Sequence, residues 1–273
     1  MKNKTALHKV AAYDLRVGNR QVAVRYLVSV AVIVFLCGLL AEECKIEGTS
    51  GSFLDLCFSF FGGIEEYNRL DRNSQFRLPV FLMLHQFFML FLVGSYPKEN
   101  MEKNGIHVFT ECGDRIKWWL GKCTWVAMNI SLYYAVTYMF LKVMAVGIAK
   151  NTNATGNSEI LIQAGGMSGE FLANLFLLPL LASLAMGMIQ LMAGIFLKPI
   201  WGYVIICFWV VLSAYKTNVW FIGNHIMMLR NRFFSAGKIG LMEGVCVDLF
   251  IIVMCLILGS LFMQRYDIIS KGE

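Results

Sequence analysis

Charged residues are scarce in this 273-residue sequence, in which Asp, Glu, Lys and Arg together make up only 15%. In soluble domains roughly a quarter of all residues are charged, so this sequence lacks the polar surface that a soluble fold of its length needs. The apolar residues, 58% of the total, occur in long runs rather than in alternation. A helix that crosses a bilayer needs about 20 mostly apolar residues, and several runs approach that length. The composition therefore predicts an integral membrane protein.

Motifs for metal and nucleotide chemistry are also missing. The eight Cys contain no C-x-x-C pair and several lie inside apolar runs, which argues against a metal site. Cys44 and Cys57 are the only two that could meet outside the membrane to form a disulfide. A phosphate-binding loop ends in G-K-[ST], and neither Gly-Lys pair, at 121–122 and 237–238, is followed by Ser or Thr. We expect this chain to bind no cofactor, so uphill transport would need a separate ATPase.

The apolar runs predict an all-α polytopic membrane protein with six transmembrane helices, at 26–41, 78–96, 123–149, 171–197, 200–215 and 245–263. With the N-terminus inside, 14 Lys and Arg fall on the cytoplasmic side and nine on the other. This bias favours an N-in, C-in topology and explains the net charge of +6 without nucleic acid. The N-terminal segment 1–25 is then cytoplasmic or interfacial, 97–122 is cytoplasmic, and 216–244 is an outer loop whose apolar piece, Val219–Leu229, is open to a re-entrant arrangement.

The stretch from Gly105 to Trp125 combines charges with a Trp pair. Trp beside Lys and Arg is typical of a membrane–water interface, where amphipathic rings and long cations both find partners. We interpret the segment as an interfacial helix that docks a cytoplasmic partner, and the alternative is that it only flanks a span. The residues on which the docking interpretation depends are Asp114, Arg115, Lys117, Trp118, Trp119 and Lys122.

Polar residues inside the predicted spans form a second group of candidates. Such residues are costly in a membrane, so they face a cavity, a substrate path or a hydrogen-bonding partner on another helix. Both a substrate path and hydrogen bonding between helices are open for His85, Asn129, Asn174 and Gln190. For Lys142, Glu170 and Asp248, which lie near span ends, the alternative to a functional role is a side chain that reaches the interface.

Two short stretches of the sequence resemble the motifs of a membrane enzyme. Glu65-Glu66 with Arg69, followed by Phe81 and His85, resembles the EExxxR and FxxxH motifs of CAAX-processing-type membrane proteases. In those motifs a carboxylate activates water and a His stabilises charge. The spacing departs from the family pattern because a Leu occupies the Arg position, and the Glu pair lies in a polar loop. An intramembrane protease is therefore kept only as an alternative.

The segment Phe76–Trp125 is similar to permease-like proteins of Gram-positive bacteria. It reads F-R-L-P, then a span that ends in Tyr-Pro, then G-x-x-x-x-T-E-C-G-D-R-x-K-W-W-L-G-K leading into the third span. Six spans, an amphipathic N-terminal segment and a cytoplasmic helix between the second and third spans resemble the permease subunits of ABC-2-type transporters. The topological resemblance covers nearly the whole chain, whereas the motif covers about 50 residues.

The resemblance implies the membrane subunit of an exporter in a bacterial cytoplasmic membrane. Two permease chains, identical or related, would form the path for a hydrophobic or amphipathic substrate such as a peptide antibiotic or a lipid-like molecule. Separate ATPase subunits, which hold ATP and Mg²⁺, would dock on the coupling helix formed by the six residues from Asp114 to Lys122 named above. A membrane immunity or assembly protein without transport activity is a further alternative.

Overall fold

The computed structural model describes residues 7–47, 52–66, 78–103, 114–152, 166–234 and 238–265, and these form helices joined by short connections. No strand occurs in these ranges, where one bridge pairs Asn231 with Ile239. The helices are α1 (Leu7–Gln21), α2 (Ala23–Glu47), α3 (Phe53–Phe61), α4 (Val80–Val93), α5 (96–103), α6 (Arg115–Thr152), α7 (Gly169–Phe196), α8 (Pro199–Tyr215), α9 (Gly223–Ile226) and α10 (Leu241–Arg265).

Five stretches of helix in the described ranges are long and apolar enough to cross a membrane. They are Ala23–Cys44, Val80–Lys103, Arg115–Ile148, Gly169–Phe196 and Leu241–Arg265. Helix α8 is also apolar but has 17 residues. The chain is thus a multi-pass helical membrane protein, as the composition predicts. Cys44 and Cys57, for which the sequence leaves a disulfide open, are both free thiols in the structure.

Helix α7 passes through a proline, Pro179, that the sequence places inside a predicted span. Proline has no N–H, so the carbonyl four residues earlier, that of Leu175, loses its usual helical donor. The chain adapts with a π-helical turn over Ala173–Leu177. The hydroxyl of Tyr138 on α6 donates to the Leu175 carbonyl oxygen at 3.4 Å. The interruption is therefore absorbed without ending the helix.

Several segments meet at one end of the bundle, which we call the Lys122 end. Here α1, α5, the first turns of α6, the turn between α7 and α8, and the last turn of α10 lie together. The Lys98 ammonium on α5 donates to the Ile195 carbonyl at 2.9 Å. The Arg115 guanidinium donates to the Gln264 carbonyl at 3.2 Å. These contacts join parts of the chain that the sequence assigns to one side of the membrane.

The opposite end, which we call the Arg230 end, is organised by one buried guanidinium. Arg230 is 1% exposed. It donates to the carbonyl oxygens of Ile64 at 2.7 Å and of Ala214 at 2.8 Å, so it joins the residues after α3 to the end of α8. Residues 222–231 are buried almost throughout, so this part of the predicted outer loop packs into the bundle. Gly63 has a φ of 72°, a conformation that favours glycine, where it lies against Met227.

Candidate functional site

The most concentrated buried polar contact is at the Lys122 end. The Lys122 ammonium lies 2.5 Å from Oδ1 of Asp14, 2.7 Å from Oδ1 of Asn100 and 3.3 Å from the hydroxyl of Tyr96. The Lys122 and Asp14 side chains are 0% and 2% exposed. A buried charge is tolerated only when it is paired and hydrogen-bonded, and this ammonium has both kinds of contact. We call Asp14, Tyr96, Asn100 and Lys122 the lysine cluster.

Aromatic rings surround the same ammonium. It lies 4.5 Å from the centre of the Tyr96 ring and 5.2 Å from that of Trp118. A cation over an aromatic face gains electrostatic energy, and the gain is larger where water is excluded. The Tyr96 hydroxyl in turn donates to Oδ1 of Asp14 at 2.9 Å. The lysine cluster therefore links α1 to α6 through the ion pair between Asp14 and Lys122, and α5 to both through the hydrogen bonds of Tyr96 and Asn100.

Helix α1 fits against α6 because its buried residues form one stripe. Val10, Asp14 and Gly18 are four residues apart and all are buried, which places them on the same helical face. A Cβ at Gly18 would lie 2.6 Å from Nε1 of Trp125, and a Cβ at Gly121 would lie 2.9 Å from the Val10 side chain. Both distances are too short for real atoms, so glycine at these two positions permits the close approach of the helices.

A further hydrogen bond closes this contact. Nε1 of Trp125 donates to Oδ1 of Asn19 at 2.9 Å, one residue after Gly18. Helix α1 is thus held at the middle of its buried stripe by Asp14 and next to the C-terminal end of the stripe by Asn19. Helix α1, which lies within the segment expected to be cytoplasmic or interfacial, is an integral part of the bundle at this end.

The structure separates the six residues of the predicted coupling helix into two groups. Trp118, Trp119 and Lys122 are fully buried, whereas Asp114, Arg115 and Lys117 are half-buried at the surface. The expectation that the Trp pair anchors this segment at the bilayer interface is corrected, because both rings lie in the interior. Nε1 of Trp119, for example, donates to the Leu256 carbonyl on α10 at 3.3 Å. Of the six residues, only Asp114, Arg115 and Lys117 are accessible for direct contact with a partner.

His85, the first predicted substrate-path residue, is completely buried and fully hydrogen-bonded. The Gln86 amide nitrogen lies 3.3 Å from Nδ1 of His85, and since an amide nitrogen can only donate, Nδ1 accepts. Nε2 lies 3.0 Å from the Thr137 hydroxyl, which itself donates to the Tyr133 carbonyl. The Thr137 oxygen is therefore the acceptor, and His85 is a neutral imidazole with its proton on Nε2.

The network continues from His85 across the bundle. The Gln86 amide nitrogen donates to the Tyr134 hydroxyl at 2.9 Å, and the Ser183 hydroxyl donates to Oε1 of Gln86 at 3.0 Å. The rings of Phe60 and Phe61 lie edge-on to the His85 ring, with centres 5.3 and 5.5 Å away. These contacts bring α3, α4, α6 and α7 together in a buried core. They match the alternative of hydrogen bonding between helices.

The other three predicted path residues lie apart from His85. The Asn129 amide donates to the carbonyl of Trp125 on its own helix, and Gln190 donates to the Leu90 carbonyl at 3.0 Å. Oδ1 of Asn174 accepts from the side-chain amide nitrogen of Asn231 at 2.6 Å. Asn231 borders an open cavity of about 860 Å³ at the Arg230 end, but none of the four candidates is among its lining residues in the described part of the chain.

The protease motif does not assemble into a site within the described residues. Glu66 is ion-paired with Lys238 at the surface, and this hydrogen bond holds the pKa of Glu66 below its usual range. Both ring nitrogens of His85 are already engaged. Arg69 lies outside the described residues. The described ranges also contain no group of three or more His, Cys, Asp or Glu side chains able to hold a metal ion.

The three residues expected near the interface have different surroundings. Lys142 and Glu170 are exposed on the surface of the bundle, and their placement near the interface stays a prediction. Asp248 instead is 0% exposed, and its Oδ1 lies 2.8 Å from Nδ1 of His225. The interfacial interpretation of Asp248 is corrected for that reason. Nε2 of His225 donates to the Val219 carbonyl at 2.8 Å, so this buried pair ties α9 to α10.

The sequence interpretation missed Asp14, Tyr96 and Asn100 as members of the lysine cluster. Asp14 did carry a signal, since it is the only acidic residue among the first 25. An isolated acid in a basic amphipathic segment is a candidate for an inward-facing ion pair. Arg230 gave no comparable signal, because basic residues near a span end are usually at the headgroups.

Comparison of the chain with protein-family models, with curated proteins and with solved structures finds no match.

Proposed function

We propose that this protein is the membrane-spanning subunit of an ATP-binding-cassette exporter in a bacterial cytoplasmic membrane. In this proposal α2, α4 with α5, α6, α7, α8 and α10 provide six spans, and both termini are cytoplasmic. A separate ATPase supplies the energy, and a second permease chain completes the path for a hydrophobic or amphipathic substrate. The Lys122 end is then the cytoplasmic end.

The lysine cluster is the observation that supports this proposal most directly. An exporter subunit has to pass a movement made by a cytoplasmic motor into its membrane helices. A segment that docks the motor is useful only if it is rigidly joined to those helices. The ion pair between Lys122 and Asp14, with no access to water, provides such a joint between α6 and α1.

Two hydrogen bonds also join α6 to α10, the last helix. Trp119 donates to the Leu256 carbonyl, and Arg115 donates to the Gln264 carbonyl, so α6 is bonded to α10 at two levels. A force on Asp114, Arg115 or Lys117 would therefore move α1, α6 and α10 together. This arrangement favours a coupling role for the segment over that of a passive flank of the span.

Charge also supports the assignment of the Lys122 end to the cytoplasm. In the predicted topology 14 of the 24 Lys and Arg lie on the side that contains α1 and the segment 97–122. Basic residues near span ends are retained on the cytoplasmic side during insertion. Membrane-impermeant labelling of single cysteines introduced at Lys103 and at Lys216 tests this orientation in intact cells. Labelling at Lys103 and not at Lys216 would overturn it.

Co-purification with the ATPase is the decisive experiment. The chain is purified from its native host in mild detergent, and the ATP-binding-cassette protein that accompanies it is quantified per permease chain. The combined variant Asp114→Lys, Arg115→Glu and Lys117→Glu is compared with Lys216→Glu and Arg232→Glu at the opposite end. We expect the first to lose the ATPase and the second to retain it.

Three outcomes contradict the proposal in different ways. Retention of the ATPase by the charge-reversed variant removes these residues as the docking contact. Absence of any ATPase from the purified wild type removes the exporter assignment. Protection of cells against a membrane-active peptide in a strain without the ATPase favours a membrane immunity protein instead.

A further inference from the structure

Helix α1 and the first half of α2 share one exposed stripe whose character changes along its length. Its members are three or four residues apart, and all are exposed: Lys9, Tyr13, Arg16, Arg20, Val24, Leu27, Ala31 and Val34. Positions with this spacing lie on one face of a helix. The first half of the stripe is basic with one aromatic ring, and the second half is apolar. The two helices are joined by Val22 alone.

The position of α1 follows from its contacts with α6. Val10 of α1 lies against Gly121, near the start of α6, and Nε1 of Trp125, one turn further along α6, donates to Asn19. Helix α1 therefore lies beside the first turns of α6 and ends where α2 begins, so its exposed stripe lies at the same end of the bundle as the starts of two candidate spans.

The orientation of α1 about its own axis is fixed by the lysine cluster. Asp14, the one acidic residue of α1, points inward to Lys122, and the basic side chains point the opposite way. The exposed face of α1 thus carries positive charge without a carboxylate of its own helix. Because the same face continues into Val24 and Leu27 at the start of a span, it meets the membrane rather than open solvent.

We propose that Lys9, Arg16 and Arg20 form a binding surface for anionic phospholipid headgroups in the leaflet at the Lys122 end. The apolar half of the stripe faces acyl chains, and the basic half begins one turn before Val24, at Arg20, on the headgroup side. Basic side chains near an anionic membrane surface each contribute about 1 kcal/mol, which is about fivefold in affinity. The ring of Tyr13, between them on the stripe, suits the same interfacial layer. This inference does not depend on the exporter assignment.

The test uses the full chain in lipid nanodiscs. One set contains only phosphatidylcholine, and the other contains equal parts of phosphatidylcholine and phosphatidylglycerol. Lipids that stay bound are identified by native mass spectrometry after release from the disc, and hydrogen exchange of residues 7–21 locates the effect. The variant Lys9→Gln, Arg16→Gln, Arg20→Gln is compared with Lys216→Gln, Arg232→Gln, Lys238→Gln, which removes the same charge at the opposite end.

The wild type and the opposite-end variant are expected to retain phosphatidylglycerol preferentially and to show slower exchange in α1 in the anionic discs. The α1 variant is expected to lose up to about a hundredfold in preference for the anionic lipid, about fivefold for each side chain. Raising the salt concentration should weaken the wild-type preference, since exposed charges are screened. Circular dichroism of both variants checks that the helical content is unchanged.

Equal anionic-lipid retention by the α1 variant and the wild type overturns the proposal. An unchanged exchange rate of α1 between the two kinds of disc does the same and favours a protein as the occupant of the stripe. Inorganic phosphate is added to the phosphatidylcholine discs as a further arm. If phosphate alone slows exchange in α1 as much as the anionic lipid does, the surface binds a free anion rather than a membrane.

Discussion

Removal of the Lys122 ammonium should release α1 from the bundle. In the variant Lys122→Met the side chain keeps its length but loses the contacts to Asp14, Asn100 and Tyr96. The Asp14 carboxylate is then held only by the Tyr96 hydroxyl, since its Oδ2 has no hydrogen-bond partner among the described residues. Leaving one partner of a buried ion pair uncompensated costs about 3 to 5 kcal/mol.

The cost is expected to appear as local opening of α1. A loss of about 3 to 5 kcal/mol corresponds to a decrease of about two to three and a half orders of magnitude in the protection of α1 amides against hydrogen exchange. The measurement is exchange of residues 7–21 in the purified protein. Arg16→Gln, on the exposed face of the same helix, is the control, and in phosphatidylcholine discs without anionic lipid it should change protection by no more than about threefold.

A double variant separates the ion pair from a general packing defect. Asp14→Leu combined with Lys122→Met replaces the pair with apolar side chains, a change that is often neutral or stabilising at buried sites. We expect it to recover most of the protection that Lys122→Met loses, because the two residues are directly coupled. If the double variant is no better than the single one, or if Lys122→Met behaves like Arg16→Gln, then the lysine cluster does not hold α1.

Three further predictions concern other parts of the molecule. Gly18→Ala should destabilise the protein by about 1 to 3 kcal/mol through overpacking and so lower its thermal unfolding temperature. Gly38→Ala, where a Cβ has no neighbour within 4 Å, is the control and should not lower that temperature. Arg230→Lys should cost about 3 kcal/mol in the same assay, because an ammonium has too few donors for the six oxygens that the guanidinium contacts. The lowered pKa of Glu66 makes its ion pair with Lys238 fully stabilising above the ordinary value of 4.5 and progressively weaker as the pH falls through the folded-state pKa. The protection of amides near residue 238, measured relative to their intrinsic exchange rate at each pH, should therefore fall in acid in the wild type but not in Lys238→Gln. Equal acid sensitivity of the two proteins, or tolerance of Arg230→Lys, would contradict these assignments.

The helices themselves could be predicted from composition and run length. Long apolar runs have no soluble alternative, so the spans near 26–41, 123–149 and 245–263 are recovered as parts of α2, α6 and α10. The effect of Pro179 could not be predicted from the sequence. A proline ends or bends a helix depending on whether a neighbour can satisfy the carbonyl it leaves, and here Tyr138 does so.

The candidate site was predicted in part. The segment from Asp114 to Lys122 was identified by its composition, yet composition assigned Trp118 and Trp119 to the interface because Trp with Lys is usual there. The Trp pair is buried because α1 and α10 pack against the start of α6. This packing brings together segments that are far apart in the sequence, since Asp14 and Lys122 are 108 residues apart in the chain.

The sequence alone determined that the chain is helical and membrane-spanning, because the free energy of placing a long apolar segment in lipid depends on that segment alone. It also determined that Lys9, Arg16 and Arg20 share one side of α1, which is a matter of spacing within one helix. Only the tertiary structure decided which polar groups are partners: Asp14 with Lys122, His225 with Asp248, and Arg230 with the carbonyl groups around it. A buried polar group is stabilised by the polar groups that other helices bring within hydrogen-bond distance, and the local sequence does not specify which groups these are.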